Sequence, residues 1–332
     1  MIRPREPEDW PPGTSERAAQ ERDAVEEILR LALDSGDFHS LEELNAALAE
    51  YVDAYNRRPQ RELLGLSPEQ VRRLLADPWD GTGPLRLDES LPLDVLQDSP
   101  LLVNAREFLA FLAEGEGVRA TAAGNLTRAA VAALLERLSG LEGAAEAVRR
   151  YSKVINEGDI SAIFRLRILL RLAGLLRLAK GRFRITRRGR TLLAPERAGE
   201  LFALLFRTHF RRFNLAALDG CAVAPGFQYT VPVMLERFQR LRPHWWSAAE
   251  LAPHLVLPPV RDEAPIHVFG TGADAYELDD LPIMIERRLL EPLLGFGLLR
   301  MRELPRAERG LPRHVYRKAS LFDRFVRWEL PD

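Results

Sequence analysis

Histidine and cysteine supply many of the nucleophiles, proton carriers and metal ligands in proteins, and this chain has few of either. Its 332 residues include six histidines and one cysteine. They are His39, His209, Cys221, His244, His254, His267 and His314. No two of them stand about three to five residues apart, the spacing of paired zinc ligands on one element, and a single cysteine excludes an intrachain disulfide. The sequence therefore predicts no metal site.

Motifs for phosphoryl or acyl transfer are also missing from the sequence. Gly270-Thr271-Gly272 lacks the Lys-Ser/Thr pair that completes a P-loop, and no Gly-x-Ser-x-Gly elbow occurs. Cys221 has no base partner close to it in sequence, and the acid pair Asp279-Asp280 is typical of solvated loop charge. We therefore expect no catalytic residues, no cofactor and no enzymatic activity.

A cationic segment, Ser161–Arg190, is the part of the chain best suited to bind a ligand. It has ten Lys/Arg residues and no Asp or Glu. Guanidinium groups bind phosphate through a planar fork of donors, and each neutralised phosphate adds salt-dependent affinity for nucleic acid. The predicted nucleic-acid contacts are Arg167, Arg171, Arg177, Lys180, Arg182, Arg184, Arg187, Arg188 and Arg190.

The same segment predicts a helix followed by a β-hairpin. The predicted buried face of the helix consists of Phe164, Ile168, Leu169 and Leu172. Arg167 and Arg171 are four residues apart and share another face. Gly174 favours the end of the helix, and Lys180-Gly181 favours a tight turn. The apolar strand positions, which alternate with mostly basic ones, are Leu176, Leu178, Phe183 and Ile185.

The whole sequence predicts a mainly α protein with small β-hairpins. Helical periodicity and Pro/Gly-rich breaks divide it into an acidic helical N-terminal region, a linker and two further units. The predicted boundaries are 1–76, 77–98, 99–220 and 221–332. The predicted order in 99–220 is helix, strand, helix, helix, strand, strand. This order resembles a winged helix, a fold that often binds DNA with its third helix in the major groove.

A short stretch of the third unit recurs in the fourth. Gly174-Leu175-Leu176-Arg177-Leu178 corresponds to Gly297-Leu298-Leu299-Arg300-Met301, and an apolar helix is predicted before each. An internal duplication of a winged-helix-like unit explains the similarity, and chance similarity between leucine-rich segments is the alternative.

Three groups of residues carry a family resemblance. They are Gly124-Asn125-Leu126, Ala173-Gly174-Leu175-Leu176, and Gly181–Thr186 with Gly189. The chain resembles an uncharacterised bacterial protein family and, more distantly, plasmid- and transposon-passenger open reading frames. The resemblance covers roughly residues 50–210. It implies a winged-helix-like core and no known catalytic residues.

A second motif resembles the tail of transposase and integrase catalytic domains. It consists of Tyr55–Pro59 followed by Leu64–Pro68. Those enzymes need three carboxylates on a preceding α/β core to hold two metal ions. Only helical sequence precedes the motif here, and a helix capped by Ser67 and Gln70 accounts for the same residues. We therefore expect no catalysis from this segment.

Charge is distributed unevenly, which leaves two interpretations of the cationic segment open. Residues 1–100 have 22 Asp/Glu against 11 Lys/Arg, whereas residues 161–212 have 2 against 14. Either the basic part binds an external anion, or the acidic N-terminal part covers it. No apolar run approaches the ~20 residues that span a membrane, so we expect a cytoplasmic location and no membrane partner.

The sequence favours a non-enzymatic nucleic-acid-binding protein, regulatory or linked to a mobile element. The predicted third helix has few Asn, Gln, Ser or Thr residues that could contact base edges. Binding of duplex DNA through its backbone, with low sequence specificity, is therefore expected. The alternative is a protein-interaction scaffold whose basic hairpin meets an acidic protein surface, without nucleic-acid binding.

Overall fold

The computed structural model describes residues 65–76, 79, 81, 83–220, 224, 226–264, 266–269, 276–304 and 313–330, in two compact units, 1–76 and 77–332. The described part of the first unit has one helix, α1 (Pro68–Leu75). The Ser67 hydroxyl accepts a hydrogen bond from the Gln70 N–H, and the Gln70 side chain accepts one from the Ser67 N–H. This capping box confirms the predicted start of the helix.

The second unit consists of helices with short strands between them. The helices are α2 (Leu93–Leu96), α3 (Pro100–Ala113), α4 (Arg128–Arg137), α5 (Glu142–Arg149), α6 (Ser161–Leu172), α7 (Arg187–Leu192), α8 (Ala198–Arg212), α9 (Gly226–Arg240), α10 (Ala248–Leu255), α11 (Pro258–Asp262), α12 (Leu281–Ile285), α13 (Glu291–Gly295) and α14 (Ser320–Phe325). A π-helical segment, Glu286–Leu290, joins α12 to α13. These elements confirm the predicted class, mainly α with small β-hairpins.

The strands pair antiparallel in small sheets. They are β1 (Leu85–Leu87), β2 (Val118–Arg119), β3 (Leu176–Ala179), β4 (Arg182–Ile185), β5 (Ile266–Phe269), β6 (Tyr276–Asp279), β7 (Leu299–Leu304), β8 (Arg313–Lys318) and β9 (Val326–Trp328). β4 lies between β2 and β3 in a three-stranded sheet, and β5 pairs with β6, and β7 with β8. β1, which lies in the predicted linker, pairs with β9 near the end of the chain.

Aromatic side chains on α8 join the two halves of the second unit in one core. Phe202 lies 5.5 Å from Phe296 and 4.6 Å from Phe325, measured between ring centroids. Phe206 lies 5.2 Å from Phe325 and 6.3 Å from Trp79. Buried rings contribute more apolar area than other side chains, so this cluster is central to the fold. The units predicted at 99–220 and 221–332 therefore share a hydrophobic core.

The two helix-to-hairpin connections have the same backbone geometry. Gly174 and Gly297 both adopt positive φ, 70° and 72°. The N–H of the next residue, Leu175 or Leu298, donates to a carbonyl five residues earlier at 2.9 Å in both cases. This is the bond pattern of a Schellman cap, which ends a helix with glycine in the left-handed region. The geometry supports the duplication, which stays a prediction, as does the winged-helix assignment.

Replacing each of these glycines with alanine tests the two caps as a matched pair. We expect either change to lower the free energy of unfolding by about 1–2 kcal/mol, because a Cβ strains a residue at positive φ. Gly297→Ala is expected to cost more than Gly174→Ala. Its Cβ would lie 2.8 Å from the carbonyl oxygen of Asp98, whereas the Cβ at Gly174 would meet nothing within 4 Å. Urea unfolding midpoints measure the difference, and equal losses would contradict the predicted contact.

Candidate nucleic-acid interface

β3 and β4 form the hairpin here called the first hairpin, and β4 determines which of its side chains face outward. Phe183 and Ile185 are buried, and Leu176 pairs with Ile185 across the hairpin. Lys180 and Gly181 form the turn with φ of 50° and 68°. Two positive φ angles are typical of the tight turns whose twist matches a hairpin. The predicted hairpin is confirmed, and three of its four apolar strand positions are buried, whereas Leu178 is 38% exposed.

Four arginines lie on the opposite face of this sheet, here called the basic sheet face: Arg119, Arg177, Arg182 and Arg184. Strand register places Arg177 directly across from Arg184, and Arg119 directly across from Arg182. Like charges directly opposite each other on neighbouring strands destabilise a sheet. Arg119 is not among the predicted contacts, because only the pairing of β2 with β4 brings it to this face.

The basic sheet face has no acidic partner among the described residues. The same holds for Arg171, Lys180, Arg187, Arg188 and Arg190, all of which are exposed. Other arginines in this half of the chain behave differently, since Arg137 pairs with Glu114 and Arg207 pairs with Glu89. The basic sheet face and these five residues therefore contribute nine cations without an acidic partner in the described part of the chain, and Arg149 and Arg150 at the end of α5 are two more.

α7 extends the cationic surface beyond the sheet. The Thr186 hydroxyl accepts a hydrogen bond from the Gly189 N–H at 3.0 Å, which starts the helix immediately after β4. A cleft of about 390 Å³ lies between α7 and α8. Arg187 and Arg188 line it on the α7 side, and the two ion pairs Arg207–Glu89 and Arg197–Glu200 line the rest. The cationic surface thus continues from the basic sheet face onto the exposed arginines of α7.

Arg167 does not belong to this surface, because its side chain is buried. Its Nε donates to a carboxylate oxygen of Glu157, which is also buried, and its Nη2 lies 3.4 Å from the Asn125 side-chain oxygen. Its guanidinium lies 5.1 Å from the centroid of the Phe183 ring. The other carboxylate oxygen of Glu157 accepts the Leu126 N–H at 2.7 Å. Arg167 is therefore a structural residue, and its predicted role as a nucleic-acid contact is wrong.

The predicted buried face of α6 also needs correction. The buried side chains of the helix are Ile163, Leu166, Arg167, Leu169 and Leu170. Of the predicted set only Leu169 is buried, and Phe164 is 40% exposed. The helix is rotated relative to the prediction, because Arg167 occupies the buried face and satisfies its charge there with Glu157.

Few described residues could carry out acid–base or metal chemistry. No group of three or more His, Cys, Asp or Glu side chains in the described part of the chain could hold a metal ion. His209 is buried beside Phe210 and Phe213, and burial lowers its pKa to about 3. Cys221 and Gly270-Thr271-Gly272 lie outside the described residues. No helix of the described segments is long and apolar enough to cross a membrane.

Two protein families match parts of this chain. The Y4jL N-terminal domain matches residues 97–199, about a third of the sequence. The integrase core domain matches residues 31–74, a stretch that the structure describes only from residue 65 onward. No curated protein and no solved structure matches the chain. Both matches fit the resemblance to an uncharacterised family related to mobile elements.

The integrase match overturns the expectation that the protein has no enzymatic activity. An integrase core domain is a catalytic fold of the nuclease and transposase type, and residues 31–74 overlap the motif that resembles a transposase tail. The expectation of no catalysis depends on the helical sequence that precedes that motif. The short, partial match to a catalytic family contradicts this conclusion.

Arg167→Ala tests the structural role of the buried ion pair. We expect it to lower the free energy of unfolding by about 3–5 kcal/mol, because the Glu157 carboxylate would remain buried without its partner. Arg171→Ala, on the exposed side of the same helix, is the control, with an expected change within about 0.5 kcal/mol. Chemical unfolding of both variants measures the effect. Similar small losses for the two would contradict the burial of Arg167.

His209 is expected to make the protein less stable in mild acid. Its pKa falls from 6.5 in the unfolded chain to about 3 in the fold. The unfolded chain therefore binds more protons between these values, and stability falls as the pH drops below 6.5. From pH 7 to pH 5 the wild type should lose about 2 kcal/mol more than a His209→Leu variant. Urea unfolding at both pH values measures this, and identical pH dependence in the two proteins would contradict it.

Proposed function

We propose that this protein binds duplex DNA through the basic sheet face and α7, mainly by contacts with the phosphate backbone. The observation that carries the proposal is the pairing of Arg177 with Arg184, and of Arg119 with Arg182, directly across neighbouring strands. Such pairs cost stability in the free protein. A phosphate held between two guanidinium groups offsets that repulsion, and no acid of the described chain does so.

The buried parts of the same arginines support an external acceptor. The Nε atoms of Arg182 and Arg184 are buried without a hydrogen-bond partner, while the Nη2 of Arg182 donates to the Gly117 carbonyl at 2.9 Å. Unpaired buried donors are rare in native structures. Both side chains are only half-buried, so an oxyanion bound to the sheet could approach them after a small adjustment.

Low sequence specificity follows from the surface of α6. If the unit from α3 to β4 is a winged helix, as we propose, α6 is the helix that would enter the major groove. Its exposed side chains are Ser161, Ala162, Phe164 and Arg171. Few of them can distinguish base pairs by hydrogen bonding. Backbone contacts made by the hairpin and α7 therefore dominate the proposed complex.

The family matches support a role linked to mobile elements. An integrase core similarity at residues 31–74 suggests that nucleic acid is the substrate or partner of the whole protein. In this proposal the second unit binds DNA. The whole protein acts in the cytoplasm, either as part of a mobile element or together with one. We assign no catalytic residue to the described part of the chain.

Removing two arginines from the basic sheet face tests the proposal. Arg182→Ala/Arg184→Ala should weaken binding about equally for duplexes of different sequence. It should also make the slope of log affinity against log salt shallower by about one unit for each lost phosphate contact. Fluorescence anisotropy of a labelled duplex across a salt series measures both quantities.

Arg149→Ala/Arg150→Ala is the matched control, since both arginines are exposed on or beside α5 and the loss of charge is the same. The control should leave the slope within error of the wild type. Equal slopes for Arg182→Ala/Arg184→Ala and the wild type would contradict a phosphate contact at the basic sheet face. Absence of wild-type binding at low salt would contradict DNA binding and favour the scaffold with an acidic protein partner.

A further inference from the structure

The hairpin of β7 and β8, here called the second hairpin, presents a cluster of two arginines on one aromatic ring. The guanidinium carbon of Arg302 lies 4.1 Å from the centroid of the Trp245 ring, and that of Arg317 lies 4.9 Å from it. A guanidinium over the face of an indole is attracted by the negative potential of the ring. One indole therefore holds two like charges near each other on the surface.

Backbone pairing places these three side chains on one face. Trp246 and Tyr316 exchange two backbone hydrogen bonds of 2.9 and 2.7 Å, so the preceding Trp245 lies beside Arg317. Arg300 is directly across from Arg317, and Arg302 is two residues further along β7. Side chains two residues apart on a strand share a face, which brings Arg302, Arg317 and Trp245 together.

This cluster corresponds in position to the basic sheet face but differs from it in composition. Arg300 and Arg317 face each other after Gly297, as Arg177 and Arg184 do after Gly174. The place of Trp245 is taken in the first hairpin by Gly117, which precedes the Val118–Phe183 pair. A Cβ at Gly117 would lie 2.3 Å from the Phe183 carbonyl oxygen, so no aromatic ring fits there.

Arg302 and Arg317 have no acidic partner within the described residues, although Arg300 pairs with Asp98 at 3.0 Å. Both are exposed, and Trp245 is half-buried. Guanidinium groups that are already held in place lose less freedom when they bind an oxyanion. The indole thus holds the guanidinium groups of Arg302 and Arg317 in position to bind one oxyanion, or two neighbouring oxyanions on a polymer.

We propose that Trp245, Arg302 and Arg317 form a second phosphate-binding site, which contacts the backbone of duplex DNA. The inference rests on the proposed function, because it assigns a second contact for the same ligand. It assigns a DNA contact to a hairpin outside both family matches, which cover residues 31–74 and 97–199.

The test repeats the anisotropy salt series on three variants of the full chain, two of them double and one single. Arg302→Ala/Arg317→Ala should reduce the slope of log affinity against log salt by about one to two units. Trp245→Leu leaves the charge unchanged and should weaken binding about three- to tenfold, because the two guanidinium groups lose their support. Arg149→Ala/Arg150→Ala removes the same charge at another site and should give the same slope as the wild type.

The outcomes separate this site from the first one. A slope for Arg302→Ala/Arg317→Ala equal to that of the Arg149/Arg150 control would overturn the second site, even if Arg182→Ala/Arg184→Ala reduces the slope. Loss of binding by Trp245→Leu without any slope change in the arginine variant would also overturn it. No binding by the wild type would overturn both proposals together. Circular dichroism of each variant confirms that it is folded.

Discussion

The ion pair between Arg167 and Glu157 connects the parts of the second unit that form the first hairpin surface. Arg167 comes from α6, its guanidinium packs on Phe183 of β4, and Glu157 binds the backbone of Leu126 just before α4. Removing one partner of a buried pair leaves an uncompensated charge, so helix, loop and sheet are held in one arrangement. The orientation of Arg182 and Arg184 on β4 toward the outer face depends on this arrangement.

Local sequence signals predicted the elements but not their long-range contacts. The hairpin at Lys180-Gly181, the α1 capping box and the glycine stops are each determined by a few neighbouring residues. The burial of Arg167 depends on Glu157, which lies in a segment without clear periodicity. The place of Arg119 on the basic sheet face depends on a pairing between strands more than 60 residues apart. Periodicity within one segment carries no information about such partners.

Several residues that carry the family resemblance have a structural role. The side chain of Asn125 and the backbone of Leu126 bind Arg167 and Glu157. A Cβ at Gly189 would lie 2.4 Å from the Leu175 carbonyl oxygen, so the start of α7 can pack closely against the turn after α6. The resemblance therefore describes how the hairpin is supported. Two of these residues, Arg182 and Arg184, also lie on the basic sheet face, whereas the integrase similarity belongs to a different part of the chain.

The central claim is that the outer face of the first hairpin contacts the phosphate backbone. Arginine modification by a dicarbonyl reagent, followed by mass spectrometry with and without a short DNA duplex, tests it most directly. Our account predicts that duplex DNA at low salt protects Arg177, Arg184 and Arg188 and that added salt removes the protection. Arg149 and Arg150 should be modified equally in both conditions. Equal modification of all five arginines under conditions where the duplex is bound would contradict the account.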